Sequence, residues 1–225
     1  MFNLKVKLLL QARALSVCCV DWSPGRCDQL AAALSDGSLV LYDVRHSKQP
    51  LAYWGVHERA ASYVKFYGPD HIVSASIDGT VQLWNATDVL TAGIGIESGL
   101  TAQSSINPPA PQASEADMVI GYDERRTHLT RARTFSGHVN TKNFVGLAVL
   151  PEEGLLATGS EDGFTHVYQQ SWDVPMLQHA LDTQPDTMVT AVAWQPLAAS
   201  KQSGHGPTLA SATSDGLIHV ISLCS

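Results

Sequence analysis

Short runs of alternating apolar and polar residues recur along the chain, each split by the same dipeptide. Leu30 to Arg45 reads LAAALSDGSLVLYDVR, and His71 to Ala86 reads HIVSASIDGTVQLWNA. Leu155 to Gln170 reads LLATGSEDGFTHVYQQ, and Thr208 to Leu223 reads TLASATSDGLIHVISL. Each holds a strand of small or apolar residues, an Asp-Gly pair and a second alternating strand. Asp-Gly between two alternating runs predicts a hairpin with a type I′ turn, which needs positive φ. Asp36-Gly37, Asp78-Gly79, Asp162-Gly163 and Asp215-Gly216 are therefore expected to join the second and third strands of four antiparallel sheets. Another apolar run precedes each hairpin: SVCCVDW, ASYVKFY, NFVGLAV and TAVAWQP. A looser fourth strand follows each.

The turn aspartates lie 42, 84 and 53 residues apart. Periods near 40–45, with Gly-His before the strands and a Trp-Asp-like ending after them, resemble the blades of a WD40 β-propeller. The 84-residue gap is two periods long, but residues 88–127 contain no hairpin signal. They carry SSINPPAPQAS, a loop composition, and no Lys or Arg from Asp88 to Asp123. They read as a disordered insertion between the third and fourth strands of the second blade, and residues 98–118 are expected to lack regular structure. HLTRARTFSG then supplies the fourth strand. The all-β chain divides into an outer strand of a preceding blade at 1–13 and blades at 14–57, 58–137, 138–182 and 183–225. Four blades are expected to form part of a larger ring, an open arc with exposed sheet faces at both ends.

Composition narrows the partners. The chain has 225 residues, 44% of them hydrophobic and 16% charged, with a net charge of −7. That balance disfavours nucleic acid, whose phosphates call for an excess of Lys and Arg. No apolar run reaches the roughly 20 residues of a membrane span. LKVKLLLQA near the start is too short for one and lacks a leader's cleavage site. Four cysteines without metal-type spacing point to a reduced, intracellular protein with no metal and no cofactor. Phosphate loops, HExxH and Ca loops are missing from the sequence. The basic cluster ERRTHLTRAR, Glu124 to Arg133, reads as a solvated strand edge, with a nuclear-import patch as the alternative.

The polar residues that recur with the period have a structural reading. His57, Ser76, Asp78 and Trp84 are expected to form a buried hydrogen-bonded set, as WD40 blades do. The third repeat keeps His138, Ser160 and Asp162, with Tyr168 replacing the tryptophan. The first and fourth keep little beyond Asp36 and Asp215. Ser, His and Asp together invite a hydrolase reading, but no GxSxG elbow accompanies them and the set repeats by period. The chain reads as non-catalytic.

SVCCVDWSP, YDVRHSKQPL, ASYVKF, SASIDGTVQLW, SGHVNTKNFVGL and ATGSEDGFTHVY, in that order, resemble one WD40 domain. It is that of the constitutive-photomorphogenesis RING-type E3 ubiquitin ligase and its suppressor-of-phytochrome-A relatives. The likeness covers about residues 14–87 and 133–225. Those proteins carry a RING or kinase-like region and a coiled coil ahead of a seven-bladed propeller, so the resemblance implies four blades of a seven-bladed ring; no RING, kinase-like or coiled-coil segment occurs in this sequence. The resemblance implies a substrate-recognition module in the nucleus and cytoplasm, one that binds acidic peptides containing a Val-Pro pair. Transcription factors or photoreceptors would be such partners. Phe144, Arg59, Cys18 and Asp43 match the family's groove positions, and Thr141 stands where better-known members carry Glu. From the pattern alone Phe144 could equally be a core aromatic at a strand start. Tyr42, Asp43 and Arg45 resemble the box that docks a cullin-4 adaptor, with Arg45 as its charged fork. The alternative is a general WD40 scaffold without a ligase role.

Overall fold

The computed structural model describes residues 15–45, 50–92, 129–180, 186–196 and 206–223. The first sheet holds β1 (Val17–Trp22), β2 (Gln29–Leu34), β3 (Ser38–Asp43) and β4 (Ala52–Gly55). The second holds β5 (Ala61–Phe66), β6 (His71–Ser76), β7 (Val81–Asn85) and β8 (Thr130–Phe135). The third holds β9 (Leu147–Leu150), β10 (Leu155–Thr158), β11 (Phe164–Gln169) and β12 (Leu177–Ala180). The fourth has three described strands, β13 (Val189–Trp194), β14 (Thr208–Thr213) and β15 (Ile218–Ser222). Strands within every sheet follow chain order and pair antiparallel.

The four Asp-Gly pairs join second to third strands as expected, but the turn differs from type I′. Only the glycines take positive φ: 88° at Gly37, 82° at Gly79, 83° at Gly163 and 90° at Gly216. Gly216 N–H donates to Thr213 O at 3.1 Å, and Thr213 N–H donates to Leu217 O at 3.0 Å. The loop is therefore one residue longer than a type I′ hairpin and ends in a glycine bulge. The aspartate stays at negative φ, where its carboxylate accepts the amide two residues on. Ser38 N–H lies 3.0 Å from Asp36 and Thr80 N–H 2.9 Å from Asp78.

Blades pack face to face on their neighbours. Ala31, Ala33, Leu39 and Leu41 of the first meet Ala61, Val64 and Phe66 of the second. Val73, Ala75, Val81 and Leu83 of the second meet Leu147 and Val149 of the third. Ala157 and Val167 of the third meet Leu209, Val192 and Trp194 of the fourth. Small residues let these faces close. A Cβ on Gly159 would stand 2.3 Å from Val189 O, and one on Gly146 2.6 Å from Val192 N.

The 88–127 segment falls between β7 and β8, which pair antiparallel. Its start departs from the expected loop. A short helix, α1 (Thr87–Ala92), covers the first residues of the 88–127 segment. Asn85 Oδ1 accepts Thr87 N–H at 3.0 Å and holds the first turn. Val89 and Leu90 are buried in the cluster between the first two blades. Residues 1–13 and 98–118, expected as an outer strand and an irregular segment, lie outside the described residues.

Candidate functional site

Strand direction sorts the chain's loops onto two ends of the arc. The Asp-Gly turns, the β4–β5 loop, the β8–β9 loop and the start of β1 share one end. Ser16 and Ser35 fix that placement for β1, with Ser35 N–H donating to Ser16 O at 2.9 Å. The distal ends of β3 and β7 form the other.

The polar stretch before β9, Asn140 to Asn143, is a wrapped loop on the first of these ends. Asn140 is buried and its Nδ2 donates to Ser76 O of the second blade at 3.0 Å. The Glu161 carboxylate accepts the backbone N–H of Thr141 at 3.1 Å and those of Lys142 and Asn143 at 2.7 Å. It also accepts the Thr141 hydroxyl at 2.9 Å. Arg59 closes the loop from the neighbouring blade, with Nη1 donating to both Thr141 O and Ile77 O at 2.9 Å. Phe144 follows directly and is exposed at 47%, so it is not a core aromatic. Lys142 is exposed beside it.

Desolvation alone would raise the Glu161 pKa, but the amides of Asn143, Lys142 and Thr141 outweigh it and hold the group down at about 2. A depressed pKa stabilises the loop above the ordinary carboxylate value, and that stabilisation is lost as pH falls through the folded value. The wrap should therefore hold above about pH 4.3 and loosen as pH drops toward 2. Glu161→Gln should speed amide exchange at Lys142 and Asn143 at pH 7 by about tenfold or more, since bonds to charged acceptors contribute about 1.5–3 kcal/mol. Unchanged exchange at both amides would show that the carboxylate does not hold the loop.

The structure divides the residues expected to line one groove. Arg59 and Thr141 meet directly, and Phe144 follows three residues after Thr141 at the end of the same loop. Cys18, half-buried at the bulge that opens β1, shares their end but keeps to its own strand, its Sγ 3.9 Å from Ser16 O. Asp43 does not belong with them. It ends β3 at the opposite end of the sheet, buried, with its carboxylate 2.7 Å from Arg45 Nη2. The expected adaptor set changes for the same reason. Tyr42 is buried in a cluster with Leu34 and Val40, so its ring packs the blade and presents nothing outward. Arg45 is the half-exposed member, clamped by Asp43 and, at 2.7 Å, by Asp28. Sequence reasoning missed Glu161, Lys142 and Asn140. Glu161 had one signal, an acid directly ahead of the turn Asp162-Gly163.

The buried set of the second blade forms around a different serine. His57 Nδ1 lies 2.9 Å from Asp78 Oδ2, His57 Nε2 2.8 Å from Ser74 Oγ, and Trp84 Nε1 2.9 Å from the same oxygen. The carboxylate can only accept, so Nδ1 carries the proton and Nε2 accepts from the Ser74 hydroxyl. Ser76 was the expected member. It lies two residues nearer the turn, beyond the imidazole, and donates instead to Arg59 O at 3.2 Å. The third blade builds no such set. His138 Nδ1 meets the Tyr168 hydroxyl at 3.0 Å, because the phenol reaches further than an indole N–H. Ser160 bonds to Val139, and Asp162 to Phe164 N–H at 3.2 Å. Burial and the neighbouring His166 push the His138 pKa down to about 4, so it is neutral at pH 7.

Four-stranded sheets packed side by side, with a His-Asp-Ser-Trp chain inside one of them, define a β-propeller of the WD40-repeat class. The WD domain, G-beta repeat family matches residues 57–85 and 129–169. The WD40 β-propeller domain of Doa1 superposes with a TM-score of 0.61 at 14% identity, over 94% of this chain and 52% of that one. The chain carries WD40 repeats, and it is similar to the COP1 and SPA proteins. It is 30% identical to the E3 ubiquitin-protein ligase COP1 of Arabidopsis thaliana over 220 residues, 93% of this chain and 25% of COP1. It is 33% identical to Protein SUPPRESSOR OF PHYA-105 1 of the same plant over 164 residues, 73% of this chain and 13% of that protein. The chain thus spans about a quarter of COP1's length. Its fold is a protein-interaction scaffold.

Proposed function

We propose that the chain is a substrate-recognition module of an E3 ubiquitin ligase complex, acting in the nucleus and cytoplasm. Its Phe144 end grips short acidic peptides that carry a Val-Pro pair. The observation that carries this reading is an exposed aromatic at the end of a loop held by Asn140, Glu161 and Arg59, with the exposed Lys142 two residues before it. An apolar pair binds against an aromatic wall, and an acidic flank binds near cations. Asn140, Glu161 and Arg59 order the loop before any peptide arrives, which limits the entropy lost on binding. Arg45, at the opposite end of the first blade, is where a cullin-4 adaptor would dock, so substrate and adaptor would not compete for one surface. COP1 is named as a ligase, and similarity to it supports this assignment.

Calorimetric titration with a short acidic Val-Pro peptide tests it. Phe144→Ala should weaken binding about 30-fold, an aromatic hot spot of about 2 kcal/mol, while the melting temperature stays in place. Lys142→Glu should weaken the same peptide more at low salt than at high salt, because screening already removes part of an exposed attraction. Unaltered affinity in both variants, with folding intact, would leave the chain as a general WD40 scaffold.

A further inference from the structure

A cavity of about 480 Å³ lies between the first two blades, with Gly55 and Val56 of the first and Arg131 and Thr134 of the second in its walls. Val56 carries the only apolar side chain among its described lining residues. Walls of this kind suit a small polar ligand, because an apolar one would leave their hydrogen-bonding groups unsatisfied. Gly55 keeps the space open. No heavy atom lies within 4 Å of the Cβ that a side chain there would add.

A break in strand register delivers Arg131 to the cavity. Gln82 pairs with Thr134 and Leu83 with Arg133, but Trp84 pairs with Arg131, so Ala132 is an extra residue. Directly opposed residues share a face of the sheet. Gln82, Trp84, Thr134 and Arg131 therefore all lie toward the first blade. In unbroken register Arg131 would oppose Asn85 and face the third blade. The blade itself does not call for the slip, since β3 pairs with β4 and β11 with β12 without one. Bulges that re-aim a side chain in this way accompany functional sites.

The polar groups of the cavity are sorted by kind. Arg131 and Thr134, both on β8, can donate. Glu58, in the β4–β5 loop, can only accept when ionised. Gln82 donates through Nε2 to Thr80 Oγ1 at 3.2 Å, and its Oε1 is a buried acceptor without a hydrogen-bond partner. Glu58 and Arg131 are exposed, and among the described residues neither has an ion-pair partner within 4.0 Å. A cation and a carboxylate thus line one cavity while standing too far apart to neutralise each other.

We infer that this cavity binds a small zwitterion of the amino-acid type. Its carboxylate meets the Arg131 guanidinium and the Thr134 hydroxyl, and its ammonium meets Glu58 and Gln82 Oε1. The assignment follows from one unpaired charge of each sign on opposite walls, together with the unsatisfied acceptor between the blades. It does not rest on the peptide site at Phe144.

Calorimetric titration of the full chain with each protein amino acid in turn tests it. At least one should bind with a Kd of about 1 mM or below, within reach of a ligand of so few atoms. Its N-acetylated and its amidated forms, each lacking one charge, should bind about tenfold more weakly or worse, as should the parent compound to Arg131→Gln. Gly55→Leu fills open space and should abolish binding while circular dichroism stays unchanged. Glu58→Gln, at an exposed position, gives a second reading should the leucine disturb the fold, and should weaken the ligand about as much as Arg131→Gln. Failure of every amino acid to bind would overturn the inference. Binding that survives both Arg131→Gln and Glu58→Gln would overturn the site, and equal affinity for the capped forms would overturn the zwitterion.

Discussion

Trp84→Ala should lower stability by about 3–5 kcal/mol, the range for removing a large buried aromatic. Trp84 is buried between the first two blades with Ala31, Leu41, Trp54 and Phe66 around it. Its loss empties the largest part of that seam and takes the N–H from Ser74 Oγ at 2.9 Å. For a chain of this size the melting temperature should fall by roughly 10 °C. Trp84→Phe separates the two contributions. It keeps most of the apolar bulk but removes the N–H, and should cost about 1–2 kcal/mol. Equal losses from the two substitutions in denaturant melts would show that the hydrogen bond, not burial, sets the cost.

Asp78 should make the second blade acid-labile. Desolvation pushes its pKa up, but hydrogen bonds from His57 and Thr80, with the attraction of His57, pull it down to about 2. The unfolded chain has an ordinary aspartate near 3.9, so the folded state binds fewer protons between the two values. The resulting stability is complete above about pH 4 and is lost as pH falls through about 2. It amounts to about 2–3 kcal/mol. Urea melts at pH 7, 4, 3 and 2 should show wild type losing this increment, about half of it by pH 3, while Asp78→Asn lacks it throughout. Parallel pH profiles for the two proteins would remove Asp78 from the account.

Both substitutions act on a blade whose parts were visible in the sequence, but whose wiring was not. The alternating runs and Asp-Gly pairs placed all four hairpins, because strand parity and the glycine's positive φ are local properties. The same pattern could not choose between Ser74 and Ser76. Both lie on one face of β6, two residues apart, and the choice rests on where the incoming loop delivers His57. The helix at Thr87–Ala92 escaped because its apolar residues are few, and Val89 and Leu90 gain their place only by meeting another blade.

The candidate site divides in the same way. Sequence alone determined the repeat, the sheets and the presence of an unusual polar loop ahead of β9. Those features are set by neighbouring residues through turn geometry and side-chain alternation. Tertiary structure decided that Phe144 faces solvent, that Arg59 reaches Thr141 across 82 positions of chain, and that Glu161 gathers three amides. It also decided that Asp43 lies at the far end of its strand and that Tyr42 is core. These outcomes depend on contacts between segments far apart in sequence. A linear pattern holds the residue types for such contacts, while the packing of whole blades fixes the distances at which they meet.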